Sequence, residues 1–169
     1  MKTEEIIITQ FFYNPMKQFG VRELSRITNL DTKTILKYLQ KLSDQKIVVK
    51  IKEKNTFVHY EANRLSPSYR LIKSNYLTTK IAVSGLIDYL ERELHPKALV
   101  LFGSVQKGTY MEKSDVDIFV QGKEHKIDLH NFEKLIGHEI NLFYEEDLKN
   151  LSEGLRNNIL RGNRLTGRL

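Results

Sequence analysis

Residues 98–120, ALVLFGSVQKGTYMEKSDVDIFV, constrain the fold of this chain more than any other stretch. Two runs of apolar, strand-forming residues flank a Gly-Ser pair, and Asp115 and Asp117 stand at the head of the second run. Side chains at i and i+2 of a strand point to the same face, so the aspartates project together while Val116, Ile118 and Val120 turn toward a core. Carboxylates are costly to bury without partners and repel each other, so this pairing points to a divalent cation between them, Mg2+ by its oxygen preference. Gly103 lets the backbone turn sharply and approach a phosphate without a Cβ in the way. Ser104 offers a hydroxyl and, at the start of a short helix, backbone N–H groups for an anion; Lys107, one turn on, adds a positive charge. A phosphate cradle beside paired carboxylates is equipment for nucleotidyl transfer.

The pattern LVLFGSVQKGTYMEKSDVDIFV resembles that of the DNA polymerase beta-like nucleotidyltransferase superfamily: an apolar strand, Gly-Ser, about ten residues, then Asp-x-Asp. The shortness of the domain is similar to that of the minimal nucleotidyltransferases, including antitoxin members of prokaryotic toxin–antitoxin pairs. The resemblance implies triphosphate binding by Gly103, Ser104 and Lys107 and metal binding by Asp115 and Asp117, with two Mg2+ ions in an active enzyme and ATP as the expected nucleotide. Active members carry a third acidic residue on a later strand. Here that strand is HEINLFY, and the position that aligns by its apolar neighbours Ile140 and Leu142 is Asn141. An amide can ligate through its oxygen but brings no negative charge and cannot act as a base. Glu139 lies on the same strand face, roughly 6–7 Å away, so the third catalytic position is Glu139 or Asn141.

Around this segment the chain reads as a small α/β unit with a mixed sheet, residues 66–169, entered by a long helix over about 68–94. Helices are expected at 127–137 and over 145–163, the latter with Leu155, Ile159 and Leu160 on its buried face, followed by an RLTGRL tail. Glu133, His138 and Glu145 read as solvated residues. Residues 1–65 differ in character. Ile7, Ile8, Phe11 and Phe12 mark a first helix; Val21, Leu24 and Ile27 a second; and Asp31 caps a third that buries Ile35, Leu39 and Leu42. KIVVKIKEKNTFVHYEA follows as a hairpin turning at about 52–55. Three helices plus a β-hairpin resemble a winged helix-turn-helix domain, and the whole chain is α+β.

Charge supports a polyanionic partner for the first part. Residues 1–65 carry 12 Lys/Arg against 7 Asp/Glu, a net +5, whereas residues 66–169 carry only +1. Lys33, Lys37 and Lys41 recur every four residues on the third helix and suit duplex DNA phosphates, with Thr34 and Tyr38 near base edges and Lys46, Lys50, Lys52 and Lys54 on the hairpin. A chain without cysteine excludes disulfides and thiolate metal sites, and the five histidines show no zinc-ligand spacing. No export segment or membrane span is expected, which points to the cytoplasm. The reading is a Mg-dependent transferase moving a nucleoside monophosphate from a triphosphate to a protein or small-molecule hydroxyl, coupled to a DNA-binding domain. The alternatives are a DNA-binding regulator or antitoxin-like protein that binds nucleotide without turnover, and a template-independent polymerase. A homodimer on paired half-sites and a protein partner are further expectations.

Overall fold

The computed structural model describes residues 2–52 and 57–169, in two compact units, Met1–Ile72 and Lys73–Leu169. Lys54 and most of the expected turn at 52–55 lie outside the described residues. In the first unit, α1 (Thr3–Tyr13), α2 (Val21–Thr28) and α3 (Thr32–Asp44) bury Ile7, Phe11, Phe12, Leu24, Ile35, Leu39 and Leu42. Asn29 ends α2 in the left-handed region at φ 54, and the Asp31 carboxylate then caps α3 by accepting from the Thr34 N–H at 2.9 Å. Ile27, expected to face inward, is half exposed. Three antiparallel strands complete the unit in the order β1 (Phe19–Gly20), β3 (His59–Ala62), β2 (Val48–Ile51). The two-residue β1 has no sequence signature; it arises because Phe19 is drawn under the helices against the Phe11 ring, 5.1 Å away.

Helix α4 (Pro67–Val83) starts in the first unit, where the Tyr69 hydroxyl donates to the Phe11 carbonyl at 2.8 Å, and continues into the second. The single helix expected over 68–94 is two helices. Gly85 adopts φ 80, the left-handed region that an α-helix cannot use, and the Ser84 hydroxyl accepts the N–H of Leu86 to start α5 (Leu86–Leu94). The second unit then builds β4 (Ala98–Phe102), α6 (Gly103–Lys107), β5 (Val116–Val120), α7 (His130–Ile136), β6 (Ile140–Tyr144), α8 (Glu153–Leu160) and β7 (Asn163–Gly167). The sheet order is β6-β5-β4-β7, with β5 and β6 parallel and the other neighbours antiparallel.

Two expectations change here. The RLTGRL tail is largely the edge strand β7 rather than an appendage, and the final helix is shortened to α8 after a 3-10 turn at Leu148–Asn150. α7 starts at His130 and not at 127, because the Asp128 carboxylate accepts the His130 N–H at 2.9 Å and sets the helix start there.

Every residue of β4 is buried. On one face Val100, Phe102 and Phe119 pack with Ile159 of α8, flanked by Leu148, Leu151 and Leu155; Leu160, expected inside, is 55% exposed. Leu99, Leu101, Ile118 and Val120 alternate onto the other face and are fully buried as well. A sheet covered on both faces leaves only its strand ends and edges for chemistry. Among the described residues no helix is long and apolar enough to cross a membrane.

Lys73 of α4 is 1% exposed, its Nζ donating to the Tyr110 carbonyl at 2.6 Å and lying 4.4 Å from the Tyr110 ring centre. Burial pulls its pKa down to about 8. The unfolded chain therefore binds more protons than the folded one between about pH 8 and the ordinary lysine value, so stability rises with pH across that window. Denaturant unfolding between pH 8 and 10 should show this rise, and Lys73→Met should flatten it.

Candidate active site

Gly103 sits at the end of β4 with φ 74, and a Cβ built on it would lie 2.2 Å from Oδ2 of Asp117. The Asp117 carboxylate thus lies directly over the glycine backbone, because Phe102 and Asp117 are cross-strand partners in the β4–β5 ladder. This explains the Gly of Gly-Ser doubly: the turn needs left-handed φ, and the carboxylate occupies the space any side chain would take. On the other side of β5, Asp117 pairs in register with Asn141 of β6. The Asn141 Nδ2–H donates to Asp115 Oδ2 at 2.9 Å, and the amide also hydrogen-bonds Asp117. Burial, opposed by that hydrogen bond and reinforced by the neighbouring Asp115 charge, holds the Asp117 carboxyl above the usual carboxylate range.

Gly103, Asp115, Asp117 and Asn141 therefore converge where β4, β5 and β6 meet their loops. Ser104 is half-buried in the first turn of α6, and its carbonyl is occupied by the Thr109 N–H at 2.9 Å. Lys107 is exposed at the far end of α6, where its Nζ donates to Asn158 of α8 at 3.3 Å. Glu139 precedes β6: its carbonyl accepts the Val116 N–H at 2.8 Å, and its side chain is exposed. It borders a cavity of about 300 Å³ with Glu112, Lys113, Ser114, Asp115, Gly137 and His138. Asn141, not Glu139, is the β6 residue hydrogen-bonded to the carboxylate pair.

The donor set suits a divalent cation in chemistry if not in number. Two carboxylates, one of them made ionisation-averse by burial and, to a smaller degree, by the other's charge, gain from a shared cation, and the Asn141 oxygen is a neutral oxygen donor. Among the described residues no group of three or more His, Asp or Glu side chains is arranged to hold a metal.

Three residues read as solvated are structural. His138 is 6% exposed and its ring Nδ1 lies 2.7 Å from the Ser114 carbonyl. Glu133 Oε1 accepts the Ile140 N–H at 3.1 Å. Glu145 Oε1 gathers the N–H groups of Glu146 and Asp147 and the amide of Asn150. Glu145 closes its own local turn, whereas His138 and Glu133 hold backbone outside their own elements, which periodicity cannot display. Asn158 was missed for the same reason: its contact with Lys107 spans 51 residues.

In the first unit Lys33 and Lys37 are exposed, as are Lys46, Lys50 and Lys52. Lys41 is instead paired with Glu4 of α1, and the Thr34 hydroxyl donates to Asp31 at 2.6 Å within the helix cap. Tyr38 is half-buried, with the Lys37 Nζ 6.0 Å from its ring centre. The basic row is thus shorter than its spacing implies, and the outward face of α3 is Lys33, Leu36, Lys37 and Gln40.

No curated protein and no solved structure matches the chain. Residues 85–168, from the break before α5 to the end of β7, match the family model described as Polymerase beta, Nucleotidyltransferase. With Gly103, Asp115 and Asp117 placed as above, that match supports assigning this segment of the chain to the nucleotidyltransferase superfamily.

Proposed function

We propose that the second unit is a Mg-dependent nucleotidyltransferase that moves a nucleoside monophosphate from a triphosphate, ATP in the first instance, to a hydroxyl of a protein or small molecule. The observation that carries this reading is the seating of Asp117 over Gly103, with Asp115 held beside it by Asn141. Backbone N–H groups at the start of α6 and the Ser104 hydroxyl receive the phosphates, and Lys107 supplies charge beyond them. Asp115 and Asp117 would hold the cation, which when bound polarises the α-phosphate and offsets charge on the departing pyrophosphate. Asn141 fixes the carboxylates but has no lone pair basic enough to take the acceptor's proton. Glu139, at the cavity shared with Asp115, is the carboxylate available for that step.

The test is pyrophosphate release from each labelled triphosphate with Mg2+, with and without protein, RNA and small hydroxyl acceptors. Release should occur in the wild type and fall by at least about 10²-fold in Asp115→Ala/Asp117→Ala. Tight nucleotide binding with no release under any condition would defeat it. Asn141 in the place of an acid favours the second reading, an antitoxin-like or regulatory protein that binds nucleotide without turnover, and that outcome would select it.

For the first unit, the order helix, two helices joined by a tight turn, and antiparallel strands supports a winged-helix reading with duplex DNA as partner; a dimer would present two α3 helices to paired half-sites. Lys33→Ala/Lys37→Ala should weaken binding across sequences and reduce the salt slope by about 2 per protomer. Lys41→Ala should matter less, since Glu4 already offsets that charge. Mobility shifts across a salt series measure both effects.

A further inference from the structure

A chain of side-chain contacts runs from α4 to the residue before the first carboxylate. Lys73 and Tyr110 are doubly joined: the Lys73 Nζ donates to the Tyr110 carbonyl, and the Tyr110 hydroxyl donates to the Lys73 carbonyl at 3.2 Å. The Tyr110 ring meets the His138 imidazole edge-on, with centres 5.7 Å apart. The imidazole in turn reaches the carbonyl of Ser114, the residue before Asp115, and Ser114 closes its own turn by accepting the Met111 N–H on its hydroxyl at 2.8 Å. A carbonyl only accepts, so the His138 Nδ1 carries the proton and donates it. The turn that presents His138 is itself pinned, by Lys80 donating to the Ile136 carbonyl at 2.8 Å.

We propose that His138 is a positioning residue for Asp115: its Nδ1–H fixes the Ser114–Asp115 peptide plane and thereby aims the Asp115 carboxylate at the cation. The proposal rests on the metal-binding reading above and deepens it. Two constraints act on Asp115 from opposite ends. Asn141 holds the carboxylate oxygen, and His138 holds the peptide from which the side chain departs. β5 begins only at Val116, so Asp115 lies outside the ladder. The peptide after Asp115 is held by the Val116 N–H donating to the Glu139 carbonyl at 2.8 Å, and the Ser114 carbonyl is the handle on the peptide before it. A buried imidazole is an expensive way to fill space against a tyrosine ring, and its hydrogen bond to this carbonyl gives it a role that a leucine could not fill. Partners of metal-holding side chains typically change metal affinity by about 10–100-fold when removed.

The test uses two polar variants of the full chain. Asparagine places its amide N–H where Nδ1 stands, glutamine where Nε2 stands. His138→Asn should keep Mn2+ affinity, read by water-proton relaxation, within about threefold of wild type, whereas His138→Gln should lose about tenfold or more. Turnover should follow the same order, with kcat falling and the nucleotide KM unchanged. Equal Mn2+ affinity in wild type, His138→Asn and His138→Gln, whatever their melting temperatures, would overturn the proposal and show a purely structural histidine. So would equal losses in both variants. Asp115→Ala/Asp117→Ala separates the two layers of the argument. Should the wild type bind Mn2+ and this variant not, the metal reading stands regardless of His138; should the wild type bind none, both fall together.

Discussion

Asp117→Asn is expected to lower nucleotidyl transfer by at least about 10²-fold and, at the same time, to raise the melting temperature of the metal-free protein at pH 7. The two effects share one cause. Burial and the Asp115 charge raise the pKa of Asp117 in the fold, so the folded carboxyl holds its proton more tightly than the unfolded one. Between the ordinary aspartate value and the raised one the folded state binds more protons, and stability falls as pH rises through that window. At neutral pH the ionised Asp117 is therefore a net cost to the fold, and a neutral amide of the same shape relieves it. Asn141 can still bond to the new side chain's oxygen, so the relief is not offset by a lost hydrogen bond. The advantage of the variant should shrink as pH drops into the ordinary carboxylate range, where the wild-type group is protonated too. Added Mg2+ should raise the melting temperature of the wild type more than that of the variant, since a ligand stabilises only what it binds. Melting curves at several pH values, with EDTA and with Mg2+, check each step. A variant less stable than wild type without metal at pH 7 would mean that Asp117 contributes to the fold through a contact other than those named here.

Such trade-offs explain why the carboxylate pair stands out in the sequence while much around it does not. An aspartate on an apolar strand is a local contradiction, and contradictions of burial preference are visible residue by residue. The apolar runs at 98–102 and 116–120 and the Gly-Ser between them placed the strands, the turn and the carboxylates together. Features that depend on partners far along the chain left no such mark. Lys41 looked like the third member of a basic row until Glu4, 37 residues earlier, came to lie beside it. His138 is polar and looks solvated in isolation, because its burial is created by Tyr110 and the 111–114 turn. The edge strand β7, Asn-Arg-Leu-Thr-Gly, holds a single large apolar residue and has no apolar alternation. It exists because β4 offers an open ladder edge, which it meets with a register shift between Leu99 and Val100. A glycine inside a helical pattern is a weak signal, and only the left-handed conformation of Gly85 shows that it ends one helix and begins another.

The position that divides the functional readings is Asn141, and Asn141→Asp is expected to move stability and activity in opposite directions. An aspartate there faces Asp115 and Asp117 across the β5–β6 ladder, so three carboxylates meet without the N–H that now bonds Asp115. Like charges disfavour one another's ionised forms and the lost donor leaves an acceptor unmet, so the metal-free melting temperature should fall and its dependence on Mg2+ should steepen. The same change adds a group able to ligate through charge and to accept a proton, and turnover with a competent acceptor should rise, by up to about 10²-fold. Pyrophosphate release and Mg2+-dependent melting on the one variant separate the cases. Higher turnover would show that the chain retains every other part of a transferase and that residue 141 sets its rate. Unchanged turnover would place the proton-accepting step on Glu139, beyond the reach of the new carboxylate. Lower turnover would show that the amide's donation to Asp115 is worth more to the site than a third negative charge, and that the pair is tuned to work with an asparagine beside it.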